Sequence, residues 1–242
     1  MLYVLFSPSE GKKFGGKNIP MELLGGINAR EEILKSYNDI VLSGDEEAIK
    51  RLFGFKKFEE CVPYIADVFH APTLKAIERY NGVAYEYLEY AQLNEQAKDY
   101  VDKHTLIFSN LFGPIKANDP IPIYKVKQGN AIGEIKPELY YKKRFSYQLD
   151  LLLGDSEILD LRAGYYEKFY KTDRPYTTLK FLKNGKTVSH WAKAYRGIVL
   201  REMAKADIST LDELRKLELP SLSCEEIKQT KNKTEIVYKI VE

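Results

Sequence analysis

Leu2-Tyr3-Val4-Leu5-Phe6, followed at once by Ser7-Pro8, is the stretch on which the fold turns. Five consecutive strand formers without a polar interruption predict a buried strand, and the proline ends it. The run opens into a glycine- and lysine-containing loop, Ser9-Glu-Gly-Lys-Lys-Phe-Gly-Gly16. A strand feeding such a loop invites a phosphate-loop comparison. No Gly-Lys-Ser/Thr follows four residues after a glycine, however, so the Walker pattern is absent and a general anion-facing loop is expected instead. Ser7, Ser9, Lys12 and Lys13 are its candidate anion contacts, set against an ordinary surface turn. Ser7 lacks the Gly-x-Ser-x-Gly elbow of a hydrolase nucleophile.

Working outward, Ser43-Gly-Asp-Glu46 has the capping-box pattern ahead of Ala48, Ile49 and Leu52, with Gly54 as the stop. Helices are predicted over 73–80, ending at a left-handed Asn81-Gly82 cap, and over 94–103. Thr105–Phe108 is a strand running into a polar turn, and 115–133, rich in Pro, Gly and Asn, is expected to be an extended surface segment. A helix over 139–153 and a strand over 156–162 follow. Asn184-Gly185 between strand-like runs 178–182 and 187–191 predicts a type I′ hairpin. A helix is expected over 192–206, and Thr210-Leu-Asp-Glu213 is a second capping box. Residues 225–235 are tail-like, ahead of a final strand over 234–241. Strands and helices alternate throughout, which gives a mixed α/β (α+β) class and one compact domain over 1–242.

Composition sets bounds. The 242 residues are 44% hydrophobic and 30% charged, enough to bury a sizeable core. Eighteen tyrosines against one tryptophan fit rings packed in the core with hydroxyls at the rim; base stacking is the rarer use. A net charge of +2 falls short of a dedicated DNA-binding domain, so any positive site must be gathered by folding. Cys61 and Cys224 lie far apart and His70, His104 and His190 are scattered, so two reduced thiols and no metal site are expected. The short apolar start has no basic leader and no stretch reaches membrane-spanning length, which points to the cytoplasm. No cofactor is implied.

Five segments, in order, resemble the YaaA family of bacterial peroxide-stress-resistance proteins: Val4-Leu-Phe-Ser-Pro8; Tyr80-Asn-Gly-Val-Ala-Tyr85; Phe108-Ser-Asn-Leu-Phe-Gly113 with Pro122 and Tyr124; Ile158-Leu-Asp-Leu-Arg162 with Tyr165 and Tyr166; and Ser189-His-Trp-Ala-Lys-Ala-Tyr-Arg-Gly197. Together they span the chain to about residue 215. The match is divergent. Glu10 stands where the family commonly has a lysine, Asn110 where it has glycine, and Asp160 and Arg162 replace Asn and Ser. The resemblance implies the family's own α/β fold with a helix-hairpin-helix element, a positively charged cleft, DNA binding, and protection against peroxide linked to lowered free iron.

The remaining candidates lie in these segments. Lys193 and Arg196, three apart at a helix start, share one face and suit phosphates; the plainer account is solvated charge or an internal ion pair. Ser109, Asn110 and Gly113 form a tight turn that could approach a phosphate or base, serve as the hairpin of a helix-hairpin-helix, or be only a sharp connection. Asp160 and Arg162 share a strand face. They make either a buried ion pair or a site, with Arg162 on an anion and Asp160 as acid, base or metal ligand. Lys12, Lys13, Lys193 and Arg196 are expected to line one positive cleft, with Ser7 and Ser109 near its floor. A binding protein for double-stranded or branched DNA is the favoured function. The alternative is an enzyme acting on a small phosphorylated or nucleotide ligand in the same cleft.

Overall fold

A computed structural model describes residues 1–241, apart from the side chains of residues 187, 189 and 190. In chain order the elements begin with β1 (Leu2–Phe6), the short β2 (Gly11–Lys12), α1 (Glu31–Val41) and α2 (Glu46–Phe53). Next come β3 (Thr73–Lys75), α3 (Ala76–Arg79), β4 (Tyr80–Asn81), α4 (Val83–Leu88) and α5 (Glu95–His104). The middle of the chain gives β5 (Thr105–Ser109), β6 (Gly113–Lys116), β7 (Pro120–Pro122), α6 (Pro137–Leu153) and β8 (Glu157–Asp160). The last part supplies β9 (Tyr176–Lys183), β10 (Lys186–Thr187), α7 (Ser189–Lys205), α8 (Leu211–Lys216), β11 (Leu222–Gln229) and β12 (Lys233–Ile240).

The main sheet runs β11-β12-β9-β8-β1-β5-β6, with β10 paired to β9. Pairings β12/β9, β9/β8, β8/β1 and β1/β5 are parallel, and the outer pairs β11/β12 and β5/β6 are antiparallel. The class is therefore mixed α/β. The uninterrupted apolar run of β1 follows from its place: with neighbours on both sides and both faces covered, Leu2, Val4, Leu5 and Phe6 are all buried. Helix α6 turns Tyr141, Phe145, Leu149 and Leu153 inward at four-residue spacing, and it packs on β6. Helices α5 and α7 pack on each other and on β1 and β9.

Local signals explain many boundaries. The Ser43–Glu46 capping box does not form: Asp45 rather than Ser43 caps α2, accepting from the Glu47 and Ala48 amides, while Ser43 donates to the Ile40 carbonyl; Gly54 closes the helix in the left-handed region as expected. Thr210 and Glu213 complete the second capping box. Asn184 and Gly185, both at positive φ, make the β9–β10 turn. The β10 arm is short, because α7 already begins at Ser189 rather than at Ala192.

Three stretches depart from the expectation. Residues 73–80 are not one helix: Thr73 pairs with Lys17 and with Pro122, so only Ala76–Arg79 is helical, and Gly82 at φ 149° starts α4 instead of ending a helix. The Pro- and Gly-rich segment 115–133 is largely interior, with Ile115, Ala117, Ile121, Tyr124, Val126 and Ile132 buried. Two wholly buried arginines help explain how irregular backbone in and around this segment can leave water. Arg30 donates to the carbonyls of Leu24, Gly26, Phe112 and Pro114, and Arg79 to those of Lys13, Pro72 and Ile121. The supposed tail 225–235 is the β11–β12 hairpin, and β12 runs parallel to β9 along its length.

Candidate functional site

The chain leaves β1 towards β5 on one side and later returns to the other side to lay down β8. The carboxyl ends of β1 and β8 thus flank a topological switch point, where open α/β sheets leave a crevice for ligands. A cavity of about 410 Å³ opens there. Its lining comes from the exit of β1 (Ser7, Ser9, Glu10), the first turn of α4, the exit of β8 (Ala163, Tyr166), and Lys193 and Arg196 of α7.

Each wall is pinned by a short-range device. The Ser7 hydroxyl accepts from the Ala163 amide at 2.8 Å, and its carbonyl accepts from the Tyr85 hydroxyl at 2.8 Å, so Ser7 ties the two strand exits to α4. Ser9 donates to the Asn81 carbonyl and accepts from the Gly11 amide, holding the loop against β4. At Gly197 a Cβ would lie 2.0 Å from the Ala84 carbonyl oxygen. Only glycine lets α7 cross α4 at that distance, and the crossing sets Arg196 beside the first turn of α4.

The charges are unevenly matched. Glu10 receives the Lys125 ammonium at 3.2 Å and the Gln128 amide at 3.1 Å. Burial works against its ionisation, yet the amide and the ammonium together keep its carboxyl below the usual range. Arg162 is bidentate on Asp160, at 2.9 and 2.7 Å, and also donates to the carbonyls of Tyr166 and Tyr170. Arg196 differs from the other sequestered arginines. It is partly buried and lines the cavity, and among the described residues its guanidinium has no hydrogen-bond or ion-pair partner. Burial depresses its pKa, while the more distant Asp160 and Glu167 act in the opposite direction.

The structure gathers Ser7, Ser9, Lys193 and Arg196 from the sequence-derived set, and separates the others from them. Lys12 is buried beneath the floor, its ammonium on the Ser9 and Glu10 carbonyls and 4.1 Å from the centre of the Tyr124 ring. That burial, followed by repulsion from Lys125, drives its pKa well down. Lys13 belongs to a neighbouring cavity of about 420 Å³, with Tyr85 forming part of both walls. Ser109 is wholly buried, where its hydroxyl receives the Leu111 and Phe112 amides and meets the Tyr124 hydroxyl. Asn110 is buried and donates to the Val126 carbonyl. Gly113, at φ 64°, lies where a Cβ would be 2.2 Å from the Tyr141 ring, so its glycine answers to packing. Residues 109–113 connect β5 to β6, two strands, and so do not form the hairpin between two helices. Asp160 and Arg162 sit behind the cavity as a pair, outside its lining.

Three contributors carry no clear signal in the sequence. Glu10 reads only as a departure from a lysine, Gln128 falls in a segment expected at the surface, and Gly197 gives no sign of its helix crossing. Among the described residues no group of three or more His, Cys, Asp or Glu is placed to hold a metal ion. Cys61 is buried and Cys224 exposed, both as free thiols. Among the described residues, no helix is long and apolar enough to cross a membrane.

The family model described as "Peroxide stress protein YaaA" matches residues 1–228. An uncharacterised protein of Campylobacter jejuni is 43% identical over 245 residues, covering 99% of each chain. A UPF0246 protein of Corynebacterium glutamicum is 30% identical over 85% of this chain and 86% of its own. Another, of Streptomyces coelicolor, is 29% identical over 84% of this chain and 82% of its own. A family match over nearly the whole length, and a relative this similar from end to end, mean that the chain belongs to the YaaA family of peroxide stress proteins.

Proposed function

We propose that this YaaA-family protein works in peroxide stress by holding the phosphates of DNA at the Lys193–Arg196 rim of the cleft, limiting iron-linked oxidative damage to the strand it covers. The observation that carries this is the state of Arg196. Arg30, Arg79 and Arg162 each spend their N–H groups on carbonyls or a carboxylate, whereas Arg196 is held at a cavity wall with no partner among the described residues. A guanidinium drawn from water and left unpaired is costly, and an incoming anion offsets that cost. Lys193, exposed one turn earlier, adds a second positive charge on the same face.

Binding of a labelled duplex, measured by fluorescence anisotropy between about 50 and 200 mM salt, tests the proposal. Affinity should fall steeply with salt. Arg196→Ala should weaken binding of every sequence alike and reduce the salt slope by roughly one unit. Absence of duplex or branched-DNA binding at low salt would refute it. The enzymatic alternative draws on Glu10, a carboxylate held ionised inside the same cavity, which a purely phosphate-binding rim does not require. Turnover of a phosphorylated small molecule, lost in Arg196→Ala while duplex affinity stays unchanged, would favour that reading.

A further inference from the structure

The cavity beneath the rim is larger than a phosphate, and its lining mixes both signs of charge with apolar rings. Lys193 and Arg196 supply cations, Glu10 an anion, and Phe6, Tyr85 and Tyr166 apolar ring surface. A volume of about 410 Å³ falls in the range, roughly 300–1,000 Å³, of pockets that enclose a small organic ligand. A ligand satisfying all three features has an anionic end, a flat apolar body and an edge of hydrogen-bond donors. We infer that the cavity is the seat of one nucleoside monophosphate unit, its phosphate on Lys193 and Arg196 and its base edge against Glu10. This rests on the proposal that the rim takes nucleic-acid phosphates.

Glu10 further selects the base. Its carboxylate is an acceptor only, and the Lys125 ammonium and the Gln128 amide fix it in place while leaving each oxygen a free lone pair. Guanine is the base that offers two adjacent N–H donors on its Watson–Crick edge, which is the match for two carboxylate oxygens. Adenine and cytosine set an acceptor beside their amino group, and thymine flanks its single N–H with two acceptors. The seat therefore prefers a guanine nucleotide. A unit within a strand reaches the cavity by turning out of the stack, and a free mononucleotide enters directly; the chemistry recognised is the same.

Calorimetric titration of the full chain with the four free deoxynucleoside monophosphates tests the seat. The expected result is deoxyguanosine monophosphate bound at least tenfold more tightly than thymidine monophosphate. Glu10→Gln should collapse that ratio towards one, and Arg196→Ala should weaken all four alike. Lys193→Ala, at an exposed position, serves as the second variant should Arg196→Ala unfold, and should also weaken all four. A parallel arm uses a thymine single strand carrying one guanine. Tighter binding than the all-thymine strand, abolished by excess deoxyguanosine monophosphate, places the unit in a polymer. Binding of the monomer alone makes it a free metabolite. Duplex binding that persists while no monophosphate binds or competes would overturn the seat and leave the phosphate rim standing. Equal affinity for all four bases, unchanged by Glu10→Gln, would overturn the assignment of Glu10.

Discussion

Asp160 and Arg162 illustrate how a buried charge can be spent entirely on architecture. The pair closes within two residues, and the spare guanidinium hydrogens fasten Tyr166 and Tyr170. Asp160→Ala would strand a buried guanidinium, and we expect a loss of about 3–5 kcal/mol in chemical denaturation. An unchanged midpoint would show that the pair matters little. Lys12 presents the opposite problem, a cation under the cavity floor whose folded pKa lies well below its unfolded one. Between those two values the unfolded chain holds a proton that the native chain has released, so this group makes stability rise with pH. Below the folded pKa both states are charged and the burial cost stands in full. The stability advantage of Lys12→Met over the wild type should therefore be greatest at low pH and shrink as pH approaches 10.5. Paired thermal melts across that range check the sign, and a difference that grows with pH contradicts it.

The elements carry two further tests. Gly197→Ala places a methyl against the Ala84 carbonyl, forcing α7 and α4 apart. Overpacking of this kind costs about 1–3 kcal/mol and here should also weaken anion binding, since both helices line the cleft. A variant with reduced stability but full affinity would separate the crossing from the site. Thr210→Ala removes a cap far from the cavity, and should cost about 1 kcal/mol without touching affinity. Elements decided by local chemistry were legible in the sequence: β1 from its apolar run, the end of α2 from Gly54, α8 from its capping box, the β9–β10 turn from Asn184-Gly185. Those decided by distant partners were not. Thr73 carries no sign that Lys17 and Pro122 will pull it into strand pairing, and 115–133 looks like surface although Arg79 arrives from elsewhere to take the Ile121 carbonyl and Arg30 to take that of Pro114 just before it. The charged composition of 225–235 hides an edge strand, since β11 needs only one partner and faces water along most of its length.

For the whole molecule, the sheet order decides which candidates meet. Ser7 and Ser9 follow β1, and Lys193 and Arg196 stand on α7; the parallel pairing of β1 with β8 and the α4–α7 crossing bring them to one cavity. Lys12 and Lys13 shared their loop yet point elsewhere, because β2 pairs with β4 and turns successive residues to opposite sides. Net charge was silent on this, since +2 over 242 residues says nothing about where cations collect. The central position of β1 has a consequence for biosynthesis. Translation delivers β1 more than 100 residues before β5 and some 155 before β8, although it must lie between them. At about 5–20 residues per second, its second neighbour follows roughly 8–30 seconds later. Throughout that interval the most apolar segment of the sheet is a nascent strand with at least one unfilled edge, a natural client for a ribosome-associated chaperone. Stalled chains ending near residue 150 should be digested readily by a protease, and chains extended past β12 should resist.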